Sequence, residues 1–306
     1  MIAECAVEPE VMAEWRHFQS LHGDFGIGQG RLLCEFPSKW RREVLQAITR
    51  LEQEGKNTAI QTQKILDQFQ HGAFRRGLVS SFRDFPKDVP WIEAARNQAN
   101  PFDVIIHSGA PSSGRELCAG EFLRTDSPYA RTRQLEVQRI AAELIEVGWP
   151  GFRRAKEIYL IDPYFNPSVA KFGEVLGSFL ARLERESCIP KRLEVHTALP
   201  GVYDAGIQKR NWEHWAQSHL PSNWKLKVCH WETLETGGRM HARYILTDIG
   251  GLDYNWGTDE DPNEYTQVTL LDDAFWDQLY KRFAGEAGTT PKALLDFPNR
   301  SFEITG

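Results

Sequence analysis

The sequence predicts an α/β protein, with a mixed sheet flanked by helices in its second half and a mainly helical region before it. Three observations predict this. From Glu157 onward, short apolar runs rich in Ile, Val and Leu alternate with stretches of helical periodicity, the pattern of a layered sheet. Before that point most apolar residues recur at three- and four-residue spacing. Between the two regimes, Gly148-Trp-Pro-Gly151 interrupts a helical pattern, so the predicted regions are 1–150 and 151–306.

The first region opens with helical spacing at Val11, Met12, Trp15 and Phe18. Gly23 to Arg31 is glycine-rich and ends in a cation, but no clear strand precedes it, so a turn is the better expectation than a phosphate cradle. Pro37-Ser38 then opens a helix that Gly55 stops, with Ser38 as its expected cap. A second helix is expected over about 57–70. Arg75, Arg76 and Arg83, interleaved with Phe74, Phe82 and Phe85, read either as a nucleic-acid contact or as arginines over a phenylalanine core. Residues 102–107 read as a short buried strand ending in His107, beside Ser108, Ser112, Ser113 and Arg115. Residues 131–147 read as an amphipathic helix.

In the second region, strands are expected at Glu157 to Asp162, from Arg192, from Lys225, from Arg239 to Thr247 and from Thr266. Helices are expected over 168–186, 207–218 and 273–284, followed by a loop-rich tail.

At 306 residues the chain is long enough for one large or two modest domains, and its 41% hydrophobic and 25% charged fractions are those of a globular protein. A net charge of −6 argues against bulk attraction to nucleic acid while leaving room for a local cationic patch. The absence of a long apolar run and of a basic-then-apolar start argues against a membrane span or secretory leader. Five scattered cysteines suggest reduced thiols and a cytoplasmic setting. No Cys-x-x-Cys or His-Glu-x-x-His is present, and no metal or cofactor is expected.

The chemistry concentrates in Met240 to Glu260. His241 and Arg243 precede an apolar run, Tyr244-Ile245-Leu246, that ends at Thr247-Asp248. If the strand begins at Met240, His241 and Arg243 share one of its faces. An imidazole beside a fixed positive charge suits phosphoryl chemistry: the cation binds phosphate oxygens while the imidazole attacks or moves a proton. Asp248 stands at the far end of the strand, from which it could turn back, and Gly257-Thr258-Asp259-Glu260 adds a turn of backbone and hydroxyl donors. Asp162 and Tyr164 end the first strand of this half, where open α/β sheets place ligands. Glu260 and Glu264 read as loop acids.

His241-x-Arg243-x4-Asp248 followed by Gly257-Thr258 resembles the signature of the phospholipase D superfamily, His-x-Lys-x4-Asp followed by Gly-Ser. Here arginine replaces lysine, threonine replaces serine and the gap to the glycine is longer. The strand ending at Asp162-Pro163-Tyr164 agrees with the same half-domain. The resemblance covers about the last half of the chain. It implies a metal-independent phosphodiesterase, acting on nucleic acid, with His241 as nucleophile and Arg243 as phosphate clamp. It further implies Asp248 as partner of a histidine, with Gly257, Thr258, Asp162 and Tyr164 around the substrate. That mechanism needs two histidines and the chain carries one motif. The resemblance therefore implies a homodimer if the enzyme is active, with His107 as the alternative source of the second histidine. The alternative is a worn site in a binding, sensor or scaffold subunit, partnered through the first region.

Overall fold

The computed structural model describes residues 1–306 except 72–76, 82, 87, 121–128, 200–203, 232–240, 242 and 285–298. It is an α/β protein of two compact units, Met1–Arg133 and Gln134–Gly306.

Unit 1 is not mainly helical. It holds a five-stranded, all-parallel sheet of β1 (Ala3–Val7), β2 (Arg31–Glu35), β3 (Leu78–Ser80), β4 (Val104–His107) and β5 (Glu116–Cys118), in the order β3-β2-β1-β4-β5. Helices α1 (Pro9–Ala13), α2 (Trp15–Leu21), α3 (Trp40–Gln53), α4 (Ala59–His71) and α5 (Trp91–Arg96) make the connections. Every residue of β1 is buried, so it is the centre of the unit, yet Glu4 sits in its middle and hides the apolar run. The charge is tolerable because Arg83 bonds it at 2.6 Å, with the two side chains only 1% and 4% exposed. The same guanidinium donates to the carbonyls of Asn100 and Pro101 and lies over the Phe102 ring. Arg83 is thus a core residue and not a nucleic-acid contact, while Phe74, Arg75, Arg76 and Phe82 fall outside the described residues.

Local chemistry sets the other boundaries of this unit. Gly55, at φ 72, ends α3 in a Schellman turn, with Lys56 N–H donating to the Leu51 carbonyl and Gly55 N–H to that of Glu52. Ser38 is not the cap, since Lys39 holds that position without a side-chain bond. The glycine-rich run is a turn: Gly26 and Arg31 bridge, and Arg31 is spent on the Tyr129 carbonyl and ring.

Unit 2 holds an eight-stranded mixed sheet in the order β13-β9-β8-β7-β10-β11-β12-β6. Its parallel centre is β7 (Glu157–Ile161), β8 (Arg192–Ala198) and β9 (Lys225–Trp231). Antiparallel strands flank it: β10 (Tyr244–Thr247), β11 (Gly250–Tyr254), β12 (Asp261–Leu270) and β6 (Gln134–Arg139) on one side, β13 (Asn299–Thr305) on the other. The expected helix over 131–147 is therefore β6 followed by α6 (Ala141–Glu146) and α7 (Trp149–Phe152). Pairing of β6 with β12 moves the boundary of the units back from Gly151 to Arg133. Part of the expected loop-rich tail is β13.

Helix α8 (Ala170–Arg185) buries Phe172, Val175, Leu176, Phe179, Leu180 and Leu183 at helical spacing. With α6 and α7 it covers the face of Ile158, Leu160, Leu193 and Ile245. Helix α9 (Ala205–His219) packs on α8 and is capped by Asp204; its Trp215 donates to the Gly173 carbonyl. Helix α10 (Asp273–Phe283) covers the opposite face, Tyr159, Ile161, Trp231 and Leu246. All five cysteines are free, and among the described residues no helix is long and apolar enough to cross a membrane.

Two predictions follow from these buried charges. Replacing Arg83 by Met leaves Glu4 buried without its cation and is expected to cost about 3–5 kcal/mol in urea unfolding, whereas pairing it with Glu4→Leu recovers most of the loss. A double variant as unstable as the single one would contradict this. His230, buried on β9 beside Phe302, is pushed down by burial to about 4. Its folded value lies below its unfolded value, so it contributes stability above about pH 6.5 that is lost as pH falls through about 4. His230→Leu should remove on the order of 3 kcal/mol of that acid dependence, read as a flatter stability-against-pH curve between those limits.

Candidate functional site

The carboxyl ends of β7, β8 and β9 lie together at one edge of the parallel centre of unit 2. The chain reaches that edge again at the start of β10, because β10 runs antiparallel to β7 with Tyr244 opposite Ile161. Arg243 is thereby set opposite Asp162.

Asp162 is fully buried and organises the edge. Its Oδ2 accepts from the Thr258 hydroxyl at 2.9 Å and the Thr258 N–H at 3.3 Å, and its Oδ1 accepts the Tyr164 N–H at 2.9 Å. Burial pushes its carboxyl above the usual value; the Tyr164 and Thr258 donors and the Arg243 charge oppose this without cancelling it. Arg243 Nε stands 3.8 Å from Asp162 Oδ1, an ion pair beyond hydrogen-bond distance. One Arg243 Nη donates to the Asn255 carbonyl at 2.8 Å, and the guanidinium lies 4.7 Å from the centre of the Tyr164 ring. Its side chain keeps 23% exposure. Gly257 has φ 119, a value that other residues rarely adopt, and a Cβ there would press on Asp259 Oδ1 at 2.7 Å, so the turn before Thr258 calls for glycine.

Five expected residues therefore meet: Asp162, Tyr164, Arg243, Gly257 and Thr258. His241 lies exposed in the segment before β10. The expectation that His241 and Arg243 share a face of one strand is corrected, since the strand begins only at Tyr244. The reason is the end of β7: Asp162 gives its N–H to His196, and Pro163 has none to give, so β10 loses that neighbour beyond Tyr244. Pairing with β11 lasts one residue longer, through Tyr254 N–H to the Arg243 carbonyl.

Asp248 does not join the site. Four strand residues carry it to the opposite end of β10, about 13 Å away at the usual rise. There its carboxylate accepts the N–H groups of Lys156 and Glu157 at 2.7 and 3.2 Å and fixes the start of β7. His107 is in unit 1, and both of its nitrogens are engaged. Gly109 N–H donates to Nδ1 at 3.1 Å, so Nε2 carries the proton and gives it to Glu116 at 3.2 Å. Glu116 also accepts both prongs of Arg96 and bonds Ser112 and Ser113; these donors hold its carboxyl well below the usual range. His107 thus anchors a loop and is no stand-in histidine.

Asn255, Trp256, Lys171 and Arg139 were not singled out in the sequence. Asn255 supplies a carbonyl, and Trp256 follows it in the same turn, largely exposed. Asp259, next to Thr258, accepts from Arg139 and, at 2.7 Å, from Lys171 at the start of α8. Burial would raise the Asp259 carboxyl, but these two cations outweigh it and lower it. Lys171 follows the Asp162-Pro163-Tyr164 strand end, a position that could have singled it out; nothing marks Arg139. Glu260 accepts the Ala141 N–H, and Glu264 is exposed on β12 and is not a loop residue.

A second polar cluster sits under α10. Glu194, His196 and Cys229 are close enough to hold a cation, and all are buried. Their donors are already assigned, however. Trp231 Nε1–H donates to His196 Nδ1 at 3.1 Å, so Nε2–H faces Glu194 at 3.2 Å, and Arg192 bonds Glu194 at 2.6 Å. Burial would raise Glu194, but His196, Arg192 and Lys227 hold it at about 2. Burial pushes the Cys229 thiol up to about 12, away from the thiolate a metal needs. This is a buried ion-pair network.

Asp248→Ala is expected to lower stability by about 1–3 kcal/mol, because two N–H groups lose their acceptor. Urea unfolding checks this; unchanged stability would contradict the structural role of Asp248. A scan of the chain against protein-family models finds no match, and a search of curated proteins finds none.

Proposed function

We propose that unit 2 is a metal-independent phosphodiesterase of the phospholipase D type that acts on nucleic acid. The observation that carries this reading is Arg243. It is pinned at the carboxyl edge of the sheet by Asn255, Tyr164 and Asp162, two residues after an exposed histidine. In this reading a phosphodiester binds with its oxygens on the Arg243 guanidinium. A His241 nitrogen attacks phosphorus, a P–N bond forms and one P–O ester bond breaks, and the leaving oxygen takes a proton from a second histidine. Water then attacks the phosphohistidine, releasing the phosphate monoester and restoring the imidazole. Thr258 and Tyr164, tied to Asp162, hold the walls in place.

With both nitrogens of His107 engaged, the second histidine falls to a second copy of the chain, whose His241 would face the first across a two-fold axis. The runner-up is a phosphate-binding subunit with a worn site. It is favoured by one observation: the Arg243 guanidinium, in place of lysine, is already committed to a carbonyl and a ring.

Hydrolysis of bis(p-nitrophenyl) phosphate tests the reading. Activity should persist in EDTA, fall by about 10³-fold in His241→Ala, and remain measurable in Arg243→Lys. The active species should be a dimer by light scattering. Activity that EDTA removes, or that His241→Ala leaves intact, would reject the mechanism. Tight, saturable phosphate-ester binding without turnover would make the worn-site reading the better one.

A further inference from the structure

The strongest feature left unused is a pair of exposed aromatic rings at the rim of this site. Tyr164 is 54% and Trp256 65% exposed. The Arg243 guanidinium rests on the Tyr164 ring, and Trp256 follows in the chain directly after Asn255, whose carbonyl takes the Arg243 Nη. Burial does not explain Trp256, since most of its surface stays in water at a large hydrophobic cost.

The turn that carries it is nevertheless fixed. Trp256 N–H donates to the Thr266 hydroxyl, Asn255 N–H to the Gln267 carbonyl, Gly257 N–H to the Tyr254 carbonyl, and Thr258 bonds Asp162. An apolar ring held out from a rigid frame is pre-organised for a flat partner.

We propose that Trp256 and Tyr164 form a base-stacking platform, and that the substrate of the site is single-stranded nucleic acid with its scissile phosphate at Arg243. This rests on the phosphodiester reading above and narrows its substrate. A strand threaded past Arg243 offers a base on each side of its phosphate, and every base has a face to stack whatever the sequence. In a duplex those faces are occupied by neighbouring base pairs. Electrostatics points the same way. With a net charge of −6 the chain gains little from bulk attraction to a polyanion, and among the described residues Arg139 and Lys171, the cations next to the Thr258 turn, are both paired to Asp259. Affinity must then come from the bases more than from the phosphates, and its dependence on salt is shallow, with a logarithmic slope of about −0.7 to −1.4 for one or two phosphate contacts on a single strand.

The test is fluorescence anisotropy of the full chain with three labelled 15-mers: oligo-dT, the same backbone with abasic sites throughout, and a mixed-sequence duplex. The expected result is oligo-dT binding at least about tenfold tighter than the abasic strand and the duplex. Trp256→Ala should bring oligo-dT down towards the abasic level without weakening the abasic strand, and Trp256→Phe should restore most of the difference. Because the ring is exposed, Trp256→Ala should keep the wild-type circular dichroism spectrum.

Equal binding of oligo-dT and the abasic strand overturns the platform, as does a Trp256→Ala chain that binds oligo-dT like wild type. So does Trp256-dependent binding to phosphatidylserine vesicles with none to oligo-dT, which would assign the rings to a membrane surface. If hydrolysis depends on His241 but binding does not depend on bases, the platform fails and the phosphodiesterase reading stands. If binding depends on bases without hydrolysis, the platform stands and catalysis fails.

Discussion

The site of unit 2 depends on the register between β7 and β10. Pairing Tyr244 with Ile161 sets Arg243 opposite Asp162, and pairing Thr247 with Ile158 puts Asp248 over the start of β7. A slip of one residue would turn Tyr244 and Leu246 away from α10 and expose the opposite set, so burial on both faces enforces the register. The same pairing divides the work of the motif. Its amino end reaches the open edge and meets Asp162, Tyr164 and Thr258; its carboxyl end closes the sheet on the far side.

Within that frame the electrostatics are arranged by burial and by donors more than by ion pairs. Asp162 stays inside because Thr258 and Tyr164 satisfy its oxygens, which leaves Arg243 at a distance where it is held without being neutralised by a close salt bridge. Asp259, by contrast, absorbs two cations in direct contact. Arg243 instead has its side chain committed to a carbonyl and a ring and faces a carboxylate only at long range.

Much of unit 2 was legible in the sequence. The strands at Glu157, Arg192 and Lys225 and the helices between and after them stand close to where their apolar periodicity puts them, because each buries a regular stripe. The meeting of Asp162 and Tyr164 with Arg243 and Thr258 followed from placing ligands at strand ends. What was not legible depended on distant partners. Glu4 made β1 look polar, and only Arg83, brought in by the fold, makes a buried carboxylate there tolerable. Leu135, Ile140, Leu144 and Val147 suggest one helical stripe over 131–147, but Leu135 and Val137 stand two apart, the spacing of a strand, and residues 134–139 pair with the edge of β12. The start of β10 was misjudged because the proline that ends its neighbour lies far away in the chain. His107 looked reactive until Glu116 and Gly109 took both its nitrogens.

The two margins of the large sheet are protected differently. On one side β6 is short, mostly exposed and polar, and its pairing with β12 is broken by a register shift between Asp261 and Tyr265. Such an edge is a poor template for another chain. On the other side β9 is mostly buried, and its outer backbone groups are matched by β13 along its whole length. The residues of β13 contribute nothing to the Arg243 edge, yet without them the outward N–H and C=O groups of β9 would be left open to pairing by a neighbour. The strand that covers this margin is thus one that the Arg243 edge does not use, and a fragment cut back to the site-bearing strands would keep the candidate groups and lay bare a new sheet edge.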